Sequence, residues 1–231
     1  MQWSNREPFG PRALLDRLRL RRAALRYARH GWPVTPGAYL TGPRFTCGRA
    51  GCPIMGCHPA IECWEDDAST DPARIAAWWQ DRPYTVLLAT GGAFDALEVP
   101  AAVGLRVLGA VRLHTGVIGP DRADGRGPVA VGPSGRWMFL VRPGEELRPE
   151  LASCLDILRH GRGSWIPAAP SRAPEGQVRW AVTPEEVGWQ LPASATVQAM
   201  LLDALHALGR RPQRTAALTV PRQMSTARRA V

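Results

Sequence analysis

Phe45-Thr46-Cys47-Gly48-Arg49-Ala50-Gly51-Cys52-Pro53-Ile54-Met55-Gly56-Cys57-His58-Pro59 gathers three thiols and an imidazole in one Gly/Pro loop of a 231-residue chain that holds only five cysteines. Zinc takes four nitrogen or sulfur ligands, and a short loop with ligands a few residues apart lets one turn of chain supply a pair. Cys47 and Cys52 form such a pair, and His58 is a third ligand. Cys57 is the fourth or, alternatively, Cys63. Adjacent Cys57 and His58 both ligate only if the backbone kinks between them. The competing explanation is a set of buried free thiols, since reduced cysteine behaves as a small hydrophobe. The density of ligands favours a structural zinc site. Four of the cysteines fall between 47 and 63 with Cys154 alone, unlike the spread of a secreted disulfide scaffold.

On either side of the loop the pattern mixes helices and strands. Pro11 to His30 has helical spacing, with Leu14, Leu15, Leu18, Leu25 and Ala28 on one predicted face and arginines outward. Trp32 to Tyr39 reads as a short strand and turn. Asp71-Pro72 is a helix start, capping residue then proline, for a helix to Gln80 that packs Ile75 and one of Trp78 or Trp79. Tyr84 to Ala89 is an apolar run bounded by Pro83 and Gly91, as a buried strand requires. Leu97 to Val99, Ser164 to Ala168 and Val178 to Thr183 are further strands, and Val103 to Leu108 a short helix. Pro128 to Val131 and Arg136 to Val141 form a hairpin about Gly132-Pro133-Ser134-Gly135. Pro192 to Leu208 returns to helical spacing. Strands and helices without regular alternation define an α+β fold.

Charge is concentrated at the ends. All 29 basic residues are arginine and the net charge is +9. Residues 1 to 29 carry +6 and residues 210 to 231 another +6, which leaves the middle at −3. Arginine-rich arms of this kind neutralise phosphates, so DNA or RNA is the expected partner, against the plainer alternative of a solvated helix face and a basic tail. No run reaches the ~18 apolar residues of a membrane span, and there is no basic-then-apolar leader, so a cytoplasmic protein is expected.

Read in order, the cysteine loop, Ala68-Ser69-Thr70-Asp71-Pro72, Trp78-Trp79 and Tyr84-Thr85-Val86-Leu87-Leu88-Ala89-Thr90-Gly91-Gly92 resemble the N-terminal catalytic domain of bifunctional DNA primase/polymerases, the prim-pol family. The resemblance spans residues 20 to 185 and implies an archaeo-eukaryotic primase-type mixed sheet with flanking helices and a zinc-binding loop insertion. It divides the chain into a basic N-terminal helix (1–30) packed on the main domain, a prim-pol-like domain (31–208) with its Cys/His loop at 45–63, and a disordered basic tail (209–231). Gly56-Cys57-His58-Pro59 is similar to the family's Gly-Lys-His-Pro-like segment with the lysine replaced, and Phe45 stands where an upstream cysteine is expected.

The resemblance fails at the catalytic positions. Nucleotidyl transfer needs carboxylates that hold Mg²⁺ or Mn²⁺ against the phosphates. The family's Asp-x-Asp pair aligns with Glu98-Val99-Pro100, and proline binds no metal. Asp95 lies three residues from Glu98, which on an extended strand puts the two acids on opposite sides. The family's Ser-Gly-x-His stretch aligns with Ser134-Gly135-Arg136-Trp137, leaving Trp137 in the histidine's place. The third acid aligns with Asp156 or, counting back from Pro170-Ser171, nearer Leu158. These losses imply a prim-pol-like protein that is catalytically impaired and binds nucleic acid or nucleotide. Ser134, Gly135, Arg136, Arg159, Arg162 and Ser171 are its candidate phosphate-binding residues.

Two alternatives stand beside that reading. One is an active primase/polymerase with a rearranged metal site built from Asp95, Glu98 and Asp156, converging in space. The other is a non-enzymatic interaction scaffold with a closed, tryptophan-filled pocket. In either case the resemblance implies that the chain acts alone or with a separate replication partner, and oligomeric state is left open. His30, His114, His160 and His206 have no sequence neighbours suggesting chemistry, and Cys154 reads as a buried residue.

Overall fold

The structure is a computed structural model that describes residues 11–114 and 125–209. Helix α1 (Pro11–Arg29) leads into β1 (Val34–Gly37), β2 (Tyr39–Thr41) and β3 (Arg44–Thr46), then the cysteine loop, α2 (Trp64–Asp67) and α3 (Pro72–Trp78). Next come β4 (Thr85–Ala89), β5 (Asp95–Val99), α4 (Ala101–His114), β6 (Val129–Val131), β7 (Trp137–Val141), α5 (Pro149–Ala152), β8 (Leu158–His160) and β9 (Trp165–Pro167). A small hairpin of β10 (Arg172–Ala173) and β11 (Gly176–Gln177), strand β12 (Arg179–Val182) and α6 (Ser194–Ala207) complete the mixed α+β fold. Strands β1-β4-β9 form one sheet and β12-β6-β7-β5-β8 a second, with every pairing antiparallel.

The five-stranded sheet is covered on both faces, and the two-residue period of its strands sorts side chains between two cores. Ala96 of β5, Ala130 of β6, and Met138 and Leu140 of β7 join Tyr27 of α1, Trp32, Ile75, Trp79, Leu88 and Phe94. Their neighbours Leu97, Val99, Val129, Trp137, Phe139 and Val141 face the other way, onto Val103 and Val107 of α4 and Val197, Leu201 and Leu205 of α6.

Local chemistry sets several element ends. The Asp71 carboxylate accepts from the N–H groups of Ala73 (3.1 Å) and Arg74 (3.2 Å), and Pro72 fills the first turn, so α3 starts where its cap stands. Trp79 is the buried member of its pair, and its indole N–H donates to the Tyr84 carbonyl at 2.7 Å. In α1 the expected face is borne out at Ala28, which is buried, and Leu25, which packs against the core, but the rest of the buried face is turned away from the N-terminal leucines. Leu20, Ala23, Ala24, Tyr27 and Ala28 are buried, whereas Leu14, Leu15 and Leu18 are 45%, 61% and 38% exposed. Both sets fit the helical period. The alanines let the helix approach closely, and Tyr27 secures it by donating to the Ala169 carbonyl at 2.6 Å while accepting from the Trp180 indole at 3.1 Å. The tail expected beyond Gly209 falls on 210–231, outside the described residues.

Gly104 in α4 lies against the Trp137 ring, where an added Cβ would come within 2.5 Å of the indole. Gly104→Ala should therefore destabilise the protein by about 1–3 kcal/mol, the usual cost of overpacking, measured as a lower urea midpoint. An unchanged midpoint would mean that α4 does not pack on the sheet as described.

Candidate functional site

The cysteine loop closes on the end of β1. The Ala38 N–H donates to the His58 carbonyl at 2.7 Å and the Ala60 N–H to the Pro36 carbonyl at 2.8 Å. These bonds hold Cys47, Cys52 and His58 together, with one donor atom of each within 4.8 Å of the others. The His58 Nδ1 lies 2.8 Å from the Gly56 carbonyl, and a carbonyl only accepts, so this nitrogen carries the proton. The lone pair is left on Nε2, 3.4 Å from the Cys52 sulfur. An imidazole fixed in this way is oriented for metal binding, and two sulfurs with one nitrogen suit a thiophilic divalent ion.

Burial works against ionisation of Cys47, but it is outweighed chiefly by hydrogen bonds from the side chain and backbone of Arg49. Together they bring the thiol down to about 6. Cys57 and Cys63 are not in the group. Cys57 lines the neighbouring cleft, and burial pushes its thiol up to about 12. Cys63 is exposed. Gly48, at φ +80°, adopts a backbone conformation that favours glycine and packs against the Arg82 guanidinium.

The cleft has a volume of about 430 Å³. One wall is the cysteine loop, through Met55, Gly56 and Cys57, and another is the turn at Gly132, Pro133 and Ser134. Glu98, Arg136 and Met138 stand on the sheet between them, and Ser171 and Arg172 line the cleft from the start of the β10–β11 hairpin.

Both oxygens of Glu98 are engaged. Oε1 accepts from the Arg136 Nε at 2.7 Å, and Oε2 lies 2.7 Å from the His160 Nε2. The His160 hydrogen bond, then Arg136, outweigh burial and hold the Glu98 carboxyl below its ordinary range. An ionised Glu98 sets the tautomer: His160 Nε2–H donates to it, and Nδ1 accepts from the Ser164 hydroxyl at 3.0 Å. The Arg136 guanidinium also donates to the Asp156 carbonyl at 2.7 Å.

The other candidate residues are dispersed. Asp95 is buried on the opposite face of β5 from Glu98, paired with Arg159 at 3.0 Å and accepting from the Gly144 N–H at 3.1 Å. Arg159 also reaches Glu146 at 2.8 Å. Asp156 is half-buried in the turn before β8. Among the described residues, Asp95, Glu98 and Asp156 do not form a metal-sized group. Neither Arg159 nor Arg162 lines the cleft, and Arg162 sits exposed at the β8–β9 turn, its backbone against Gly91. The Ser171 hydroxyl accepts from the Val86 N–H at 2.9 Å, tying down β4. Gly135, at φ +80°, makes the turn that presents exposed Ser134.

A family model described as bifunctional DNA primase/polymerase, N-terminal, matches residues 24–195. The chain belongs to the prim-pol family. No curated protein and no solved structure matches it.

Within this prim-pol chain two side chains were not legible as site residues. His160, alone in sequence, meets Glu98 across 62 positions through the pairing of β8 with β5. Arg172 lines the cleft and also an adjoining cavity of about 560 Å³ that reaches Arg19 of α1. Trp137 is turned into the α4–α6 core, so its neighbour Arg136 is the residue that faces the cleft.

Because the Glu98 carboxyl is lowered in the folded state, its pairing stabilises the protein fully above the ordinary carboxylate range. That stabilisation is lost as pH falls through the lower folded value. Glu98→Gln should accordingly cost about 1–3 kcal/mol at neutral pH, with the gap from the unmodified protein closing as pH falls below the ordinary carboxylate range. Urea denaturation across pH measures it, and a pH-independent gap would contradict the pairing.

Proposed function

We propose that this prim-pol chain binds nucleic acid or a nucleotide in its cleft and at its arginine-rich ends, and that it does not perform nucleotidyl transfer. The observation that carries this reading is the commitment of both Glu98 oxygens to Arg136 and His160. A carboxylate held by an arginine on one side and an imidazole on the other has both oxygens engaged and its charge offset by the guanidinium, so Mg²⁺ or Mn²⁺ competes with these partners for it. Its partner in the expected metal pair is Pro100, and the nucleotide-facing histidine is replaced by a tryptophan. The loss of metal and histidine together removes several kcal/mol of transition-state stabilisation. What is retained suits phosphate recognition: an open cleft bordered by Ser134, Arg136 and Arg172.

The fold is read as prim-pol-like, of the archaeo-eukaryotic primase type. Its domain runs over 31–208, the basic helix 1–30 packs on it, and a basic tail follows. A zinc ion at Cys47, Cys52 and His58 supplies stiffness, because the same loop forms one wall of the cleft. Among the described residues no helix is long and apolar enough to cross a membrane. A cytoplasmic setting and a separate replication partner complete the reading.

The rearranged-polymerase alternative needs three acids around an ion, and the group that Arg136 touches holds a guanidinium instead. The scaffold alternative needs a tryptophan-filled pocket, and no tryptophan lines the cleft.

Purified protein should incorporate no nucleotide in primer extension or de novo synthesis with Mg²⁺ or Mn²⁺. It should bind labelled DNA with an affinity that falls with salt by about 0.7–0.9 log units per log unit for each phosphate contacted. Arg172→Ala, or removal of metal by a chelator, should weaken that binding. Incorporation that Glu98→Ala abolishes would establish a working polymerase site, and absence of DNA binding at every salt concentration would favour the scaffold.

A further inference from the structure

A closed structural zinc site uses four protein ligands, whereas a site with three keeps one position for an outside group. The group of mutually close donors here ends at Cys47, Cys52 and His58 among the described residues. Cys57 is turned into the cleft wall, and Cys63 is exposed at the N-terminal end of α2. Beside the two sulfurs stands a cation. The Arg49 guanidinium hydrogen-bonds the Cys47 sulfur and approaches the Cys52 sulfur at 3.8 Å, and its Nε is a buried donor with no hydrogen-bond partner. Its carboxylate contact is a loose 3.7 Å approach to Glu62, whose side chain is 82% exposed. Cys47 and His58 are buried and Cys52 is half-buried, so the group is reached from the Cys52 side.

Charge decides what such a position would take. A divalent ion with two thiolates is neutral, and Arg49 makes the assembly net positive with N–H donors to spare, a combination that selects a negative ligand. We propose that the metal held by Cys47, Cys52 and His58 keeps its fourth position for an exchangeable small anion of the inorganic phosphate type, hydrogen-bonded by Arg49. The proposal rests on the reading that the loop binds a metal, and it makes the site an anion receptor as well as a brace for the cleft wall.

Cobalt(II) loaded into the full-length protein is the probe, read by its thiolate charge-transfer and ligand-field bands. Azide and, separately, inorganic phosphate should shift the ligand-field bands saturably. Arg49→Gln should weaken both about tenfold, the loss of one hydrogen bond to a charged group. Cys57→Ser and Cys63→Ser should leave the charge-transfer intensity unchanged. A drop in that intensity in either cysteine variant, or bands that neither anion moves, would overturn the proposal. Absence of any thiolate band would overturn the metal reading itself, so the two failures are distinguishable. The titrations of unmodified protein need no variant and decide the matter even if Arg49→Gln fails to fold.

Discussion

A carboxylate on a strand packed on both faces has to be neutralised where it stands, because a partly buried charge without a partner costs several kcal/mol. Glu98 is in that position. Its strand, β5, lies between β7 and β8 in the five-stranded sheet, and alternate residues feed two separate cores. Arg136, at the end of the β6–β7 turn, neutralises Glu98, and His160 of β8 adds a second hydrogen bond from the other side. The pairing helps to join the edge strand to the sheet and fixes the direction of a histidine and an arginine. It also occupies the oxygens that a polymerase of this family would offer to metal. Stability and the proposed loss of catalysis thus arise from one set of contacts.

The cysteine loop is coupled to the same cleft through a short chain of atoms. The Gly56 carbonyl accepts a hydrogen bond from the His58 ring, and Gly56 also lines the cleft, with Met55 and Cys57 beside it. The orientation of His58 and the position of that wall are thus linked. Local order at a cluster of soft donors is in this way transmitted to a surface that carries none of them.

Elements whose boundaries depend on neighbouring residues were readable in the sequence. Asp71-Pro72 announces α3, Pro83 and Gly91 bracket β4, and the Gly132 to Gly135 turn joins β6 to β7. Features that depend on distant pairing were not. The 3.6-residue period of α1 fits two faces equally, and the choice of the alanine and Tyr27 face is made by close contact with β1, β4 and α3. Trp137, aligned with the family's histidine, turns into the core, whereas Arg136, already a candidate from sequence, faces the cleft. His160 has no informative neighbour in sequence, since its partner comes from strand register. The nearness of Cys47, Cys52 and His58 follows their spacing, but which cysteines stay outside the cluster depends on the path of the loop.

Manganese(II) is a paramagnetic probe of whether Glu98 is available to a divalent ion. Protein with its thiol site filled by zinc and its histidine rings labelled with ¹⁵N would be titrated with Mn²⁺ in the presence of nucleotide, and the His160 resonances followed. If Glu98 is committed to Arg136 and His160, those signals keep their width and the hydrogen-bonded Nε2 proton persists. Selective broadening of His160 at stoichiometric Mn²⁺, removed by Glu98→Gln, would show the pair opening to a metal and would contradict the loss of catalysis argued from it.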